Sequence, residues 1–411
     1  MKINIDRLMQ EIQDYGKYGE EQNNGITRPS FSDDDYIVRE LFINQLEALN
    51  LSVKVDPIAN IWATLKGNGK SDSPIVIGSH LDTVPNGGKF DGALGVLVAK
   101  EIIQTLQDNH VSLKHDLEIV SFTAEEPNDF NLSTMGSRAL TGKLSYSELV
   151  KAMDSNGVKL SDAVLKAGGN LEDLSKIKRD DLAAYIELHI EQGKRLEKQD
   201  LSIGIVDQIV GIYRDKIEVL GEPNHSGTTM MEDRVDTLVA ASEMVIAVEK
   251  VVSKFNSDAV ATVGKLDNFP NAANIIPGRV DFILEIRSSS KQERAEIRKK
   301  IYKEFALIRD RRKVKINIET ILNQEECTFD GDIVQYLQRA ADSLGIPYTT
   351  FGSMAGHDAT HMADNTKSAM IFVKSIDGKS HCPEEYSRLD DIEIAANTLL
   401  QAVLIADNEL D

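Results

Sequence analysis

Only two cysteines, Cys327 and Cys382, occur among the 411 residues. Two thiols cannot build a disulfide framework in a chain this long, and they exclude a cysteine-rich structural zinc site. Any metal is therefore left to histidine and carboxylate. Positive charge is short as well: 46 Lys and Arg stand against 66 Asp and Glu, a formal net charge of −20. A nucleic-acid binder would show a basic face, and an anionic membrane surface would repel such a chain. No apolar run approaches the ~20 residues that span a bilayer, and the opening residues 1–7 lack the apolar core of a secretory signal. The expectation is a cytoplasmic protein with neither nucleic acid nor membrane as partner.

What is present is ordinary globular usage, with 41% hydrophobic and 27% charged residues over a length that suits two or three domains. Residues 73–80, 116–123 and 183–189 have the compact apolar cores of buried strands. Between the first two, Leu94, Leu97, Val98 and Ile102 recur at helical spacing. Strands alternating with helices predict an α/β domain with helices on both faces of a mixed sheet. A second region follows: strand 212–220, helix 233–254, strand 280–286, helix 292–308, strand 314–321. These five make up all but one strand of the β-α-β-β-α-β pattern of a small two-layer sandwich. Beyond it the first pattern returns, with strand 369–373 and a helix over 390–407. The expected division is one discontinuous α/β domain, residues 1–211 and 325–411, with an α+β domain, 212–324, inserted in it.

The chemistry-bearing residues cluster just past the strands, where open α/β sheets carry their sites. His80 ends the first strand and is followed two residues on by Asp82. Side chains so spaced on an extended chain share a face, so Asp82 could hold the ring of a metal-bound His80. Asp91 precedes the helix; read alone it is better explained by an N-cap than by a metal bridge. Glu125 and Glu126 end the second strand, where one could bind metal while its neighbour holds a proton. His189 ends the third, and His381 follows the last. His80, Asp91, Glu126, His189 and His381 suit a pair of borderline divalent ions held by imidazole and carboxylate. Other chemistries lack their motifs. Residues 67–71 and 378–380 end like a phosphate loop without its first glycine, and neither a dinucleotide fingerprint nor a serine elbow is present.

Together, His80-Leu-Asp82-Thr-Val-Pro, Asp91-Gly, Glu125-Glu126, His189-Ile-Glu-Gln192-Gly193 and Ser380-His381 resemble the M20-type metallohydrolases. Further segments resemble the amidohydrolase branch that holds N-carbamoyl-L-amino acid hydrolases and allantoate amidohydrolases. These are Gly136-Ser137-Arg138, His225-Ser-Gly-Thr-Thr229, Asn271-Ala-Ala-Asn274-Ile-Ile-Pro277, Arg287 and Gly356-His357-Asp358-Ala359. The resemblance implies that the five residues above ligate two divalent ions, zinc or manganese or else cobalt or nickel, with Asp91 bridging. It implies Glu125 as general base, Asp82 as the partner of His80, and Gln192, His225, Asn274, Arg287 and Gly356 as substrate contacts. The inserted domain would act as lid and dimerisation domain of a homodimer, its His225 and Asn274 completing the partner subunit's site. The expected substrate is a small ureido or carbamoyl carboxylate, first an N-carbamoyl-L-amino acid and second allantoate. An aminoacylase or dipeptidase and a non-catalytic binding protein are the rival readings. The chain departs from the branch at Pro127-Asn128-Asp129-Phe130, at Met230-Met231 and at Met354, none of them an expected ligand.

Overall fold

A computed structural model describes every residue except Asn256 and Asp411. The chain divides into two compact units, Met1–Asp207 with Thr328–Asp411, and Gln208–Cys327, an insert slightly wider than the 212–324 read from the sequence. The first unit is built on a nine-stranded mixed sheet. At its centre lie four parallel strands, in the order Leu117–Phe122, Ile75–His80, Ala184–Ile190, Lys367–Val373. Every residue of the first three is buried, as expected of parallel strands covered on both faces. Antiparallel strands flank this centre, Ile61–Leu65 on one side and Ile203–Ile209 on the other.

The helix Ala93–Asp108 lies against the three strands Ile75–His80, Leu117–Phe122 and Ala184–Ile190. Its predicted apolar positions Leu94, Leu97, Val98 and Ile102 are all fully buried, each contributing about 1.5–3 kcal/mol relative to exposure. The terminal helix Leu389–Glu409 packs on the same helix and on the central strands. The chain runs from Ile75–His80 to its neighbour on one side and later returns on the other, at Ala184–Ile190. That reversal opens a crevice at the carboxyl ends of these two strands, and His80 and His189 sit there.

The second unit is a four-stranded antiparallel sheet in the order Lys315–Gln324, Gly211–Leu220, Arg279–Ser288, Val260–Phe269. Helices Thr237–Val252 and Lys291–Arg312 cover it, closing a core that includes Ile217, Phe282, Met244, Ile301 and Phe305. Within this unit the two short strands Asn224–His225 and Ile275–Ile276 pair, setting His225 opposite Ile275.

Candidate metal centre

Three of the four parallel strands run into turns with left-handed residues, Ala124, Gln192 and His381, at φ of 56°, 58° and 56°. Non-glycine residues in that region mark loops held in a sparsely populated conformation by their surroundings. A fourth turn precedes the helix Ala93–Asp108. Its N-cap is Gly92, at φ 64°, rather than Asp91, which removes the capping reading of that carboxylate. A Cβ on Gly92 would fall 2.2 Å from the His80 ring, so only glycine fits between the two.

These turns bring the five expected ligands of the first unit into two groups that share Asp91. His80, Asp91 and His189 form one; Asp91, Glu126 and His381 form the other, with ligand atoms inside each group within 4.8 Å of one another. Asp91 divides its oxygens between them. Oδ1 lies 3.7 Å from His80 Nε2 and 3.2 Å from His189 Nε2, while Oδ2 lies 3.4 Å from His381 Nε2. Glu126 Oε1 stands 3.1 Å from the same His381 nitrogen. All but His381 are buried.

The other ring nitrogens are accounted for. His80 Nδ1 faces the backbone carbonyl of Asp82 at 3.0 Å, and His189 Nδ1 that of Ile190 at 3.1 Å. With Nδ1–H donated outward, each Nε2 turns a lone pair toward the carboxylates. Lone pairs facing lone pairs are favourable only with positive charge between them, so this donor set fits divalent cations. The carboxylates already show that demand: against the penalty of burial, Asp91 lifts His189 to about 9. Hydrogen bonds to Asp91 and Glu126 lift His381 to about 10.

Asp82 does not hold the His80 ring through its side chain. Its carboxylate oxygen is 3.6 Å from Nδ1, and it accepts instead the backbone N–H groups of Glu126 and, more weakly, Glu125. It therefore ties the first strand's loop to the acidic pair. The pair diverges as the strand geometry suggests: Glu126 meets His381, while Glu125 Oε2 stands 3.8 Å from His80 Nε2. Burial, reinforced by Glu126, Asp358, Asp82 and Asp91, pushes the Glu125 carboxyl well above the usual range. Gln192 donates from Nε2 to Asp91 Oδ2 at 2.7 Å, and its buried Oε1 has no partner among the described residues. Gly356 is exposed, in open space, one residue before His357.

The remaining candidates belong to the second unit. His225 is exposed, and its Nδ1 accepts the Gly227 N–H at 3.0 Å, which leaves Nε2 as the protonated, donating nitrogen. Asn274 is fastened beside it, its carbonyl accepting the Ser226 N–H at 3.0 Å. Arg287 donates from Nε to Glu285 at 2.7 Å.

The structure adds Glu187 and Glu385, which no motif reading singled out for a role, and places His357, expected to orient the substrate loop, beside His189. Glu187, fully buried in the strand that carries His189, accepts the Ser79 hydroxyl and the Ala359 N–H. The His357 ring packs against that of His189 with centroids 4.5 Å apart. Glu385 grips the turn that carries Asp91. Period-two alternation could not mark Glu187, because a strand buried on both faces has no polar side to contrast with it.

The profile of peptidase family M20/M25/M40 matches residues 76–405. Among relatives, the N-carbamoyl-L-amino acid amidohydrolase of Geobacillus stearothermophilus is 34% identical over 407 residues, covering 98% of both chains. The allantoate amidohydrolase of Bacillus subtilis is 32% identical, covering 93% of both chains. The ureidoglycolate hydrolase of Arabidopsis thaliana is 34% identical over 95% of this chain and 84% of its own. A solved amidase of the hydantoinase/carbamoylase family from Burkholderia multivorans superposes with a TM-score of 0.92 at 30% identity, over 100% of this chain and 99% of that one. Profile and relatives both span most of the sequence, and on that evidence the chain belongs to peptidase family M20/M25/M40.

Proposed function

We propose that this protein is a two-metal amidohydrolase that cleaves the ureido group of a small carboxylate, with N-carbamoyl-L-amino acids as its preferred substrates. The observation that carries the reading is the division of Asp91 between two ligand groups, with Glu125 beside one of them. His80 and His189 would hold one ion, Glu126 and His381 the other. When bound, such a pair supplies a Lewis acid for the carbonyl and acidifies water at neutral pH. Zinc or manganese suits the imidazole and carboxylate set.

Glu125 takes the proton from the attacking water. A carboxyl held above its ordinary range keeps that proton long enough to pass it to the departing nitrogen. The amine then leaves as the free amino acid, and the remaining carbamate falls apart to carbon dioxide and ammonia. Gln192 steadies Asp91 and keeps an amide oxygen for a substrate N–H. In the second unit, His225 has the protonated Nε2 that a developing oxyanion needs. Arg287 offers a planar fork to the substrate carboxylate, and Asn274 and Gly356 complete the contacts. We assign the insert, Gln208–Cys327, to lid closure and to a homodimer in which His225 and Asn274 serve the partner's centre. With only two cysteines in 411 residues, we assign a cytoplasmic location; no described helix is long and apolar enough to cross a membrane.

Allantoate is the second reading, because the relatives include enzymes named for allantoate and for ureidoglycolate. Incubating metal-loaded protein with carbamoyl-methionine, allantoate and an acetyl amino acid separates the cases. Ammonia from the first is expected. Ammonia from allantoate alone selects the second reading, and acetate without ammonia overturns both.

A further inference from the structure

Glu385 is buried to 6% exposure, and its partners are two backbone N–H groups and a hydroxyl. Its Oε1 accepts the N–H of Phe90 and the N–H of Asp91, each at 3.0 Å. Its Oε2 lies 3.2 Å from Ser380 Oγ, and that same oxygen lies 2.7 Å from Asp91 Oδ2. One carboxylate thus holds Asp91 at its backbone N–H and shares with its side chain the single proton of the Ser380 hydroxyl. It does so from a position four residues beyond His381, on the same loop.

The surroundings are shaped to admit it. A Cβ on Gly88 would lie 2.1 Å from Glu385 Oε1 and 2.2 Å from its carboxyl carbon. Gly88 does not carry a positive φ, so what glycine supplies there is room. Burying a carboxylate is costly unless its oxygens are hydrogen-bonded, and here those bonds all end on the turn and loop that carry ligands.

We propose that Glu385 is a positioning residue that sets the separation of the two cation subsites, by locking the Asp91 turn to the His381 loop. The inference rests on Asp91 being the shared ligand of the proposed centre. Without the lock, Asp91 can still serve the His80 and His189 side. Its second oxygen then no longer meets His381 and Glu126 at a fixed distance.

The test is Mn2+ binding to full-length protein stripped with chelator, followed by competition with a metal indicator and by electron paramagnetic resonance. Wild type should take up two equivalents and give an exchange-coupled dinuclear signal. Glu385→Ala should bind the second equivalent about 10- to 100-fold more weakly, the range seen when a partner of a metal ligand is removed, and give mononuclear spectra. Glu385→Gln should restore the coupled signal, because its amide oxygen still accepts both N–H groups. Gly88→Ala, which displaces Glu385 without altering it, should reproduce the loss, and it carries the test if Glu385→Ala fails to fold. Two tightly bound, coupled ions in Gly88→Ala or Glu385→Ala would overturn the proposal. So would a loss in which both equivalents weaken together with the melting temperature of the stripped protein. No readout involves a ureido substrate. A wild type that binds a coupled pair yet leaves carbamoyl compounds intact would sink the proposed function and leave this inference standing.

Discussion

At the scale of single residues, the acidic pair shows how neighbouring side chains divide a task. The chain turns at Ala124, so Glu126 reaches His381 while Glu125 is left beside His80 with an elevated proton affinity. Glu125→Gln should keep both metals and lose kcat by about 10²- to 10⁴-fold, the range for a lost general acid-base group. Metal analysis beside a steady-state assay checks it, and a variant without metal would make Glu125 a ligand. The raised affinities of His189 and His381 carry a second expectation. Near pH 7 both rings hold protons until cations displace them, so metal uptake should release protons to the buffer. Calorimetry in buffers of different ionisation heat measures that release. Residue types and spacing named in advance the five side chains of the two groups that share Asp91. The connection of Asp82 was not legible: His-x-Asp gives a shared face, but whether the ring meets the carboxylate or the carbonyl depends on the turn taken after the strand.

Among the elements, the plainest in the sequence are the strands covered on both faces, while the half-buried strands Gly211–Leu220 and Arg279–Ser288 are legible from their alternation. The strands Ile75–His80, Leu117–Phe122 and Ala184–Ile190 are apolar because both faces are covered, and the sequence marks them plainly. The edge strand Val260–Phe269 escaped notice because most of it is exposed and it carries Gly264, Lys265 and Asp267, so no apolar pattern is needed there. The short helix Ala359–Met362 went unread too, although His361 has work to do in it. That ring bonds Thr134 Oγ1 at 3.0 Å, and Thr134 in turn donates its N–H to the Glu125 carbonyl. Burial, with Lys143 and Arg138 nearby, pulls His361 down to about 3. An unfolded histidine titrates near 6.5. Between those values the unfolded chain binds the extra proton, so this contribution to stability is whole above pH 6.5 and drains away as the pH falls toward 3. His361→Gln should flatten that part of the decline in denaturant midpoints between pH 6.5 and 4, and an unchanged profile would refute it.

At the scale of the whole molecule, the feature that matters is how the insert is attached. The strands Ile203–Ile209 and Cys327–Thr328 are neighbours in the main sheet, and the Phe329 N–H donates to the Asp207 carbonyl at 2.9 Å. The chain therefore leaves the first unit and re-enters it at adjoining points. Replacing residues 208–327 with a short glycine linker should leave a cooperatively folding protein that binds two cations. It should release no ammonia from a carbamoyl amino acid, since His225, Asn274 and Arg287 depart with the insert. Calorimetric melting and metal content beside the ammonia assay decide the matter, and retained turnover would remove those three residues from the proposed reaction.

Entry and exit points standing side by side make the insert a cassette. Lengthening or exchanging it leaves the strand order of the main sheet as it is, because both joints lie at neighbouring strands of that sheet.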